Sequence, residues 1–437
     1  MTITPATRSA SPTAHSGSGD AEICGCNEGR RLELSRRSVL ASLGGTALLT
    51  ATLGDAQLAF GATAGTKSNV LLTIVLGGGI DGLSVVVPLG DANYAPNRPD
   101  IAVPASRALA VDSMFGLHPA LEPLLPLWKA GKFGAIQAIG QVSPSRSHFE
   151  AMEELERAAP NSSLRTGWLN RTIGMLPESG PLEAVALGGG GQPGHLRGPN
   201  QNLSATDLAG LNIDVDWVTT LPLWQKAFNE LHAGARPEIT TPMATGMAAS
   251  TAAAALPAST ATGYPSNAWG TALKDVARLV KSDVGLRVAS VPYGGWDHHE
   301  NFGTVDSTGG GTFAGRLKGL AAGLAAFAAD LGPDFDRVTV VTLTEFGRRV
   351  KQNGSGGLDH GHGFMSLVLG GGVNGGKVHG TWPGLEAAKL DTGYDLAVTT
   401  DYRSLITEIL VNRMGVPSAT QVFPGFTSEQ VGLITSA

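Results

Sequence analysis

Histidines and carboxylates are concentrated in two short glycine-rich segments in the second half of the chain. Residues 294–301 read Gly-Gly-Trp-Asp-His-His-Glu-Asn and contain Asp297 and His299. Residues 359–363 read Asp-His-Gly-His-Gly and contain Asp359 and His360. Imidazole nitrogens and carboxylate oxygens are the ligands that zinc and similar divalent ions take from proteins. We therefore predict a divalent metal site formed by these side chains, with zinc as one candidate for the ion.

Two further carboxylates follow apolar runs that could be strands. Asp81 comes after the run 69–76, and Glu345 comes after the run 337–344. Apolar runs without alternation are typical of strands that are buried on both faces of a sheet. Ligands of open α/β sheets lie at the carboxyl ends of the strands. We therefore predict that Asp81 and Glu345 join the metal ligands.

A hydroxyl that could act as a nucleophile precedes a predicted helix over 148–158. Ser147 stands at the start of this helix, where free amides and the positive end of the dipole favour anions. A hydroxyl there is placed to attack a phosphoryl or sulfuryl centre beside a metal. A plain N-cap role for the serine is equally open, and Ser145 or a water molecule are alternative nucleophiles. Arg146 and Arg348 are candidates for holding the anionic part of a substrate.

The apolar pattern also predicts the elements that must position these residues. Besides the two runs above, strands are expected at 133–139, 286–292 and 365–369, and helices at 121–130, 268–282, 313–330 and 402–414. Strands that alternate with helices indicate a doubly wound, mainly parallel α/β sheet flanked by helices. The stretch 190–265 is rich in Gly, Asn and Pro and then in Ala, Thr and Ser, which predicts loops and an insertion. The candidate ligands can converge only if the first strand lies beside the strands that precede residues 297 and 345.

The first 64 residues are predicted to be an export signal and not part of the fold. Arg36 and Arg37 precede a weakly apolar run over 39–60, and small residues at 62–64 offer a cleavage site. An arginine pair before a modest apolar stretch is typical of twin-arginine export. We expect the twin-arginine machinery as a partner and a periplasmic or secreted mature protein, with one domain over 65–437 and no stable membrane span. An uncleaved membrane anchor is the alternative interpretation of the apolar run.

Charge and cysteine content exclude some classes of function. The formal net charge of the 437 residues is −6, and no basic stripe is present that would neutralise phosphates, so nucleic acid is not an expected partner. Both cysteines, Cys24 and Cys26, lie in the predicted signal. The mature chain would therefore contain no disulfide, no thiolate metal ligand and no cysteine nucleophile.

Taken together, these motifs resemble the bacterial family called domain of unknown function 1501. The segments that carry the resemblance are 78–83, 117–119, 145–149, 296–299, 344–348, 359–361 and 378–383. By this resemblance, which would extend over about 70–430, the chain is similar to the alkaline phosphatase and sulfatase superfamily. The resemblance implies an alkaline phosphatase-like fold and metal-dependent hydrolysis of phosphate or sulfate esters, with a small molecule or a glycan ester as the substrate.

The chain departs from that superfamily at two positions. Sulfatases carry Cys or Ser at the start of a C/S-x-P-x-R signature, whereas Val142 stands there in this chain. Alkaline phosphatases carry Asp-His where this chain has Glu345 and Phe346. The alternative function is therefore a non-catalytic relative on the same fold that binds a metal, a glycan or a partner protein.

Overall fold

A nine-stranded, mainly parallel sheet forms the centre of the computed structural model, which describes residues 67–142, 145–211, 221–232 and 234–435. The predicted export signal lies outside these residues. The strands are β1 (Val70–Val75), β2 (Val86–Val87), β3 (Leu109–Ala110), β4 (Gly116–Leu117), β5 (Phe133–Gly140), β6 (Ala184–Leu187), β7 (Leu203–Ala205), β8 (Val288–Pro292), β9 (Val338–Leu343), β10 (Phe364–Gly370), β11 (Val378–His379) and β12 (Thr400–Asp401). The α-helices are α1 (Gly82–Val85), α2 (Tyr94–Asn97), α3 (Leu125–Lys129), α4 (His148–Arg157), α5 (Trp168–Ile173), α6 (Leu221–Leu231), α7 (Pro237–Ala254), α8 (Ala268–Lys281), α9 (Phe313–Leu331) and α10 (Tyr402–Asn412).

The order of strands brings several loops to one edge of the sheet. The order is β11-β5-β10-β9-β1-β8-β6-β7, with β12 also paired to β5, and β2, β4 and β3 form a separate small sheet. Strand β10 runs antiparallel to both of its neighbours, β5 and β9. The amino end of β10 therefore lies at the same edge as the carboxyl ends of β1, β5, β8 and β9. Loops that follow those strands meet the loop that precedes β10.

Strand β1 occupies the middle of the sheet. It pairs in parallel with β8 on one side and with β9 on the other. This arrangement confirms that the first strand lies beside the strands that precede residues 297 and 345. Its apolar residues serve both faces, because Leu72 and Ile74 pack in one core layer while Leu71 packs in the other. Burial on both faces explains why the sequence of β1 shows no polar alternation.

Helices cover both faces of the sheet, as predicted for an α/β fold. Val276 of α8 and Leu320 of α9 belong to the core layer on one face. Leu169 of α5 and Ile406 of α10 belong to the layer on the other face. None of the helices in the described part of the chain combines the length and the apolar character that a membrane crossing requires.

The stretch 190–265 contains more regular structure than the predicted loops. Strand β7 pairs in parallel with β6 and extends the sheet at its edge. Helix α7 occupies most of the Ala/Thr/Ser-rich part, and Ala249, Ala252 and Ala253 on it are buried. Alanine has the highest helix propensity and packs closely without side-chain entropy. The prediction of loops in this part was therefore wrong, because it relied on composition, and small residues also form a helix without marked apolar periodicity.

Candidate metal centre

Three side chains from distant parts of the chain meet at the carboxyl edge of the sheet. His148 is the first residue of α4, Asp297 follows β8, and His360 precedes β10. One possible ligand atom from each residue lies within 4.8 Å of the corresponding atoms of the other two. His148 Nε2 is 3.4 Å from Asp297 Oδ2, and His360 Nε2 is 3.3 Å from Asp297 Oδ1. Two imidazoles and one carboxylate at this spacing form a possible metal-binding group.

His299 adds a third imidazole to this group. Its Nε2 atom lies 3.1 Å from Asp297 Oδ1 and 2.9 Å from His360 Nε2. The structure thus brings together Asp297, His299 and His360, which the sequence selected as candidate ligands. We refer to His148, Asp297, His299 and His360 as the metal centre.

Each imidazole of the metal centre has an oxygen acceptor beside its Nδ1 atom. The distances are 2.8 Å from His148 to Glu345 Oε1, 3.3 Å from His299 to Asp359 Oδ1, and 2.7 Å from His360 to the Arg146 carbonyl oxygen. An imidazole that donates its Nδ1 proton to such an oxygen keeps the Nε2 lone pair free, which is the usual arrangement of metal-binding histidines. Burial lowers the pKa of His360, which favours the neutral ring that binds metals.

The three Nε2 atoms differ in their partners, because those of His299 and His360 face each other and Asp297, whereas that of His148 is without a hydrogen bond in the described part of the chain. His148 Nε2 is buried and has no hydrogen-bond partner within the described residues. The 2.9 Å between the Nε2 atoms of His299 and His360 would set two lone pairs against each other when both rings donate from Nδ1. A proton or a cation between them removes this repulsion. A divalent ion fits the donor set of His148, Asp297 and His360, because it would accept lone pairs from the two imidazoles and pair with the charged carboxylate, and His299 lies beside this group.

Arg348 holds Asp297 in its ionised form. Burial opposes this state, but the hydrogen bond and the charge of Arg348 outweigh it and lower the pKa of Asp297 to about 2. Nη2 of the guanidinium donates to Asp297 Oδ1 at 2.6 Å, while its other nitrogens donate to the carbonyls of Gly79 at 2.6 Å and Leu358 at 2.9 Å. The side chain of Arg348 is therefore enclosed by the loops that it joins. This position differs from the predicted role of Arg348 in holding a substrate.

Glu345 and Asp359 lie beside the Nδ1 atoms of His148 and His299, although both carboxylates were predicted to be metal ligands. Glu345 is buried, and its Oε1 accepts from the Gly78 amide at 2.7 Å as well as facing His148. Its Oε2 accepts from the Thr344 hydroxyl at 3.0 Å. The Asn353 side chain donates to Asp359 at 3.1 Å and lowers the pKa of this carboxyl. Both carboxylates are thus arranged to orient histidines.

Asp81 lies outside the metal centre, in contrast to the prediction. Its two carboxylate oxygens accept from the guanidinium of Arg98 at 2.5 Å and 2.9 Å. Asp81 also caps α1 by accepting from the Ser84 amide at 3.0 Å. Both partners of the ion pair are buried. A carboxylate whose oxygens are committed to a buried guanidinium cannot at the same time be a metal ligand without breaking that pair.

The candidate nucleophile Ser147 and the neighbouring Arg146 have different partners in the structure. Ser147 occupies the N-cap position of α4, but its hydroxyl makes no capping hydrogen bond. The hydroxyl of Ser145 is engaged, because it donates to Glu150 Oε2 at 2.7 Å. The side chain of Arg146 pairs with the buried carboxylate of Asp395. Ser147 therefore keeps an uncommitted hydroxyl one residue before the metal centre, while Arg146 is committed elsewhere.

His148 is the member of the possible metal-binding group that the choice of candidate ligands missed. The sequence feature that could have identified it is its position. It begins the helix that follows β5 and therefore lies at the edge where the other ligands were expected. The neighbouring histidines have different surroundings. His298 packs against Phe302 and Phe313, at ring-centroid distances of 5.8 Å and 5.9 Å. His362 Nδ1 lies 2.7 Å from a carboxylate oxygen of Asp391, and its Nε2 faces a backbone carbonyl.

The fold and the site define a mainly parallel α/β protein with a possible His/Asp/His metal-binding group at the carboxyl edge of its sheet. The chain belongs to the family described as "Protein of unknown function (DUF1501)", whose model matches residues 143–420. This match covers more than half of the chain and confirms the family resemblance that the motifs suggested.

Comparison with other proteins adds no function. No match is found among curated proteins. Two similar solved structures are titled "Crystal structure of Ps i-CgsB in complex with k-i-k-neocarrahexaose" and "Crystal structure of Ps i-CgsB". Each is 12% identical in sequence with a TM-score of 0.37, and the alignment covers 82% of this chain and 75% of that chain. A likeness of this size carries no argument about activity or ligands.

Proposed function

We propose that this protein is an exported, metal-dependent hydrolase of phosphate or sulfate esters. One observation carries the proposal: the Nε2 atoms of His148, His299 and His360 converge on the ionised carboxylate of Asp297. Nitrogen and oxygen donors of this kind suit zinc and comparable divalent ions. When bound, such an ion would supply Lewis-acid polarisation of an ester oxygen.

The remaining groups of the site would supply the nucleophile for attack on the ester and hold the ligands in place. Ser147 is the proposed nucleophile, because its hydroxyl makes no capping hydrogen bond and lies next to His148. The positive end of the α4 dipole would stabilise the negative charge that develops beside this hydroxyl. Glu345 would keep the ring of His148 oriented, and Arg348 would keep Asp297 ionised.

The finer assignment of fold and location is part of the same proposal. We infer an alkaline phosphatase-like architecture from the candidate ligands that follow β8 and precede β10 and from the candidate nucleophile at the helix that follows β5. Export through the twin-arginine machinery is supported by Arg36 and Arg37 before a weakly apolar run. The support for the architecture comes from the order of the elements along the chain, and the support for export comes from a sequence motif.

A second candidate function is a non-catalytic protein that binds a metal together with a glycan or a protein partner. The observation that favours it is the state of the two arginines expected to hold an anionic substrate. Arg348 is enclosed by loops, and Arg146 pairs with Asp395. A hydrolase of anionic esters requires positive charge that can reach the substrate, and these two residues do not offer it in this arrangement.

Two alanine variants separate these functions. Ser147→Ala should reduce ester turnover by at least about a thousandfold while zinc content is retained, as for the loss of other hydrolase nucleophiles. Its melting temperature should change little, because the hydroxyl that is removed makes no capping hydrogen bond. Ser145→Ala serves as the matched control and should keep turnover.

The assay uses purified zinc-loaded protein with a panel of aryl and sugar phosphates and sulfates. Turnover that survives in Ser147→Ala but not in Ser145→Ala would transfer the nucleophilic role to Ser145. A wild-type protein that binds zinc and hydrolyses no member of the panel would favour the non-catalytic function.

A further inference from the structure

Arg349 and Tyr394 form an exposed surface beside the metal centre, which we call the Arg349–Tyr394 shelf. The guanidinium carbon of Arg349 lies 5.0 Å from the centroid of the Tyr394 ring. Tyr394 is 57% exposed, so the ring is open to solvent. The backbones around the two residues are joined, because the Val350 amide donates to the Tyr394 carbonyl at 3.0 Å. The shelf is therefore held by backbone hydrogen bonds as well as by contact between its side chains.

The guanidinium of Arg349 has unused hydrogen-bonding capacity. Its Nε atom is buried and has no hydrogen-bond partner among the described residues. Its Nη1 atom lies 3.6 Å from Asp359 Oδ2, which is an ion-pair distance too long for a hydrogen bond. Arg146 and Arg348, in contrast, donate hydrogen bonds to carboxylates. Arg349 thus makes no hydrogen bond to a carboxylate among the described residues, and its side chain is 34% exposed, so an external anion can approach its terminal nitrogens.

The shelf is connected to the metal centre through one carboxylate and one imidazole. Asp359 Oδ1 lies 3.3 Å from His299 Nδ1, and the Nε2 atom of the same ring faces Asp297. Asp359 and the ring of His299 therefore separate Arg349 from the metal-facing nitrogens. A group held at the metal-facing nitrogens lies across Asp359 and the His299 ring from Arg349, so a contact with Arg349 would come from another part of the same molecule.

We propose that the Arg349–Tyr394 shelf binds the organic part of the substrate, and that this part is a ring that carries a second anionic group. The ring would stack on Tyr394, because an aromatic face offers a flat apolar surface. A second sulfate or phosphate would accept hydrogen bonds from Arg349, whose fork of donors matches such oxyanions. The substrate class is a cyclic ester with two or more anionic groups, of which a polysulfated sugar is one example. The identity of the reacting ester rests on the proposed function, whereas binding to the shelf does not require turnover.

Equilibrium binding by calorimetry tests this proposal with two sugars that differ in charge. The probes are N-acetylglucosamine O-sulfate, which has one sulfate, and N-sulfoglucosamine O-sulfate, which has two. Zinc-loaded wild-type protein should bind the disulfated sugar more tightly. Arg349→Gln should weaken binding of the disulfated sugar about tenfold and that of the monosulfated sugar less than twofold, as expected for the loss of a charge-assisted pair.

Three further variants make the test specific. Lys351→Gln removes a positive charge from the same loop at an exposed position and should leave both affinities unchanged. Tyr394→Ala should weaken the binding of both sugars, because the stacking surface and the contact that holds Arg349 are lost, and Tyr394→Phe should restore both affinities. Thermal denaturation of each variant shows whether the fold is intact.

Several results would overturn the proposal. One is a wild-type protein that does not bind the disulfated sugar. Another is an Arg349→Gln variant that affects both sugars equally or affects neither. Failure of the hydrolase proposal is recognised separately. If the protein prefers the disulfated sugar, this preference depends on Arg349, and no ester is hydrolysed, then binding at the shelf is supported and the proposed hydrolase is contradicted. Hydrolysis without that preference contradicts substrate binding at the shelf and is consistent with the proposed hydrolase.

Discussion

The role of Glu345 provides the most direct test of the metal centre. The structure places this buried carboxylate 2.8 Å from His148 Nδ1, on the side of the ring opposite the metal-facing Nε2. Glu345→Gln keeps the size of the side chain and removes its charge. We expect the variant to bind zinc more weakly, because the imidazole loses the carboxylate that orients its ring and increases its basicity.

The size of the effect follows from the position of Glu345 behind the ligand. Loss of a carboxylate that supports a metal-binding histidine typically reduces metal affinity by about ten- to a hundredfold. At a zinc concentration about a hundredfold above the wild-type Kd, zinc stabilises the wild-type protein by about 2.7 kcal/mol. At the same zinc concentration the stabilisation of the variant should be only about 0.4–1.4 kcal/mol.

Two measurements on each protein give these quantities. Competition with a chromophoric chelator gives the zinc affinity, and urea denaturation with and without zinc gives the stabilisation. Glu300→Gln is the matched control, because Glu300 is an exposed carboxylate adjacent to His299. The control should bind zinc as tightly as the wild type does. His148→Ala removes a proposed ligand and should lose more affinity than Glu345→Gln.

Two outcomes would contradict the reasoning. Zinc affinity within twofold of wild type in Glu345→Gln would show that the carboxylate does not orient a ligand. A loss in Glu345→Gln as large as in His148→Ala, with a changed visible spectrum of the cobalt-substituted protein, would make Glu345 a direct ligand, as the sequence suggested.

Three further predictions concern stability and export. Burial lowers the pKa of His118 from 6.5 to about 4, so the unfolded state takes up an additional proton between these values. The free energy of unfolding should therefore fall by up to about 3 kcal/mol as the pH decreases across this window, and His118→Asn should remove that slope in denaturation experiments. Arg98→Met should cost about 3–5 kcal/mol because it leaves Asp81 charged and buried, and adding Asp81→Asn should recover much of the loss with zinc stoichiometry unchanged throughout. Lysine at positions 36 and 37 should leave uncleaved precursor in the cytoplasm; normal export of that variant on immunoblots of cell fractions would refute the twin-arginine signal.

The main strands and helices could be predicted closely from the sequence. The apolar run 69–76 contains β1, observed as Val70–Val75, and the predicted helix 313–330 is α9, observed as Phe313–Leu331. Strands that are buried on both faces are mainly apolar, so the sequence records them directly, although β1 also contains the buried Thr73. Helix α7 could not be found in this way, because its small residues bury little area and show little apolar periodicity.

The approximate location of the site also followed from the sequence. Parallel strands end at one edge of a sheet, so residues that follow them must be near one another. This argument was sufficient for Asp297 and His299 after β8. It did not by itself place His360, which precedes a strand; His360 reaches the same edge because β10 runs antiparallel to its neighbours, which only the structure shows.

The division of roles within the site was decided only by the tertiary structure. Asp81 and Glu345 have equivalent positions in the sequence, each as a carboxylate after a central strand. A buried guanidinium engages the first, and the imidazole of His148 lies beside the second. His148 and Glu345 are 197 residues apart in the chain, and Arg348 joins loops separated by as many as 270 residues. Residue type determines which bonds a side chain can form, but the partner it meets depends on how distant segments pack, and that information is not contained in any local pattern.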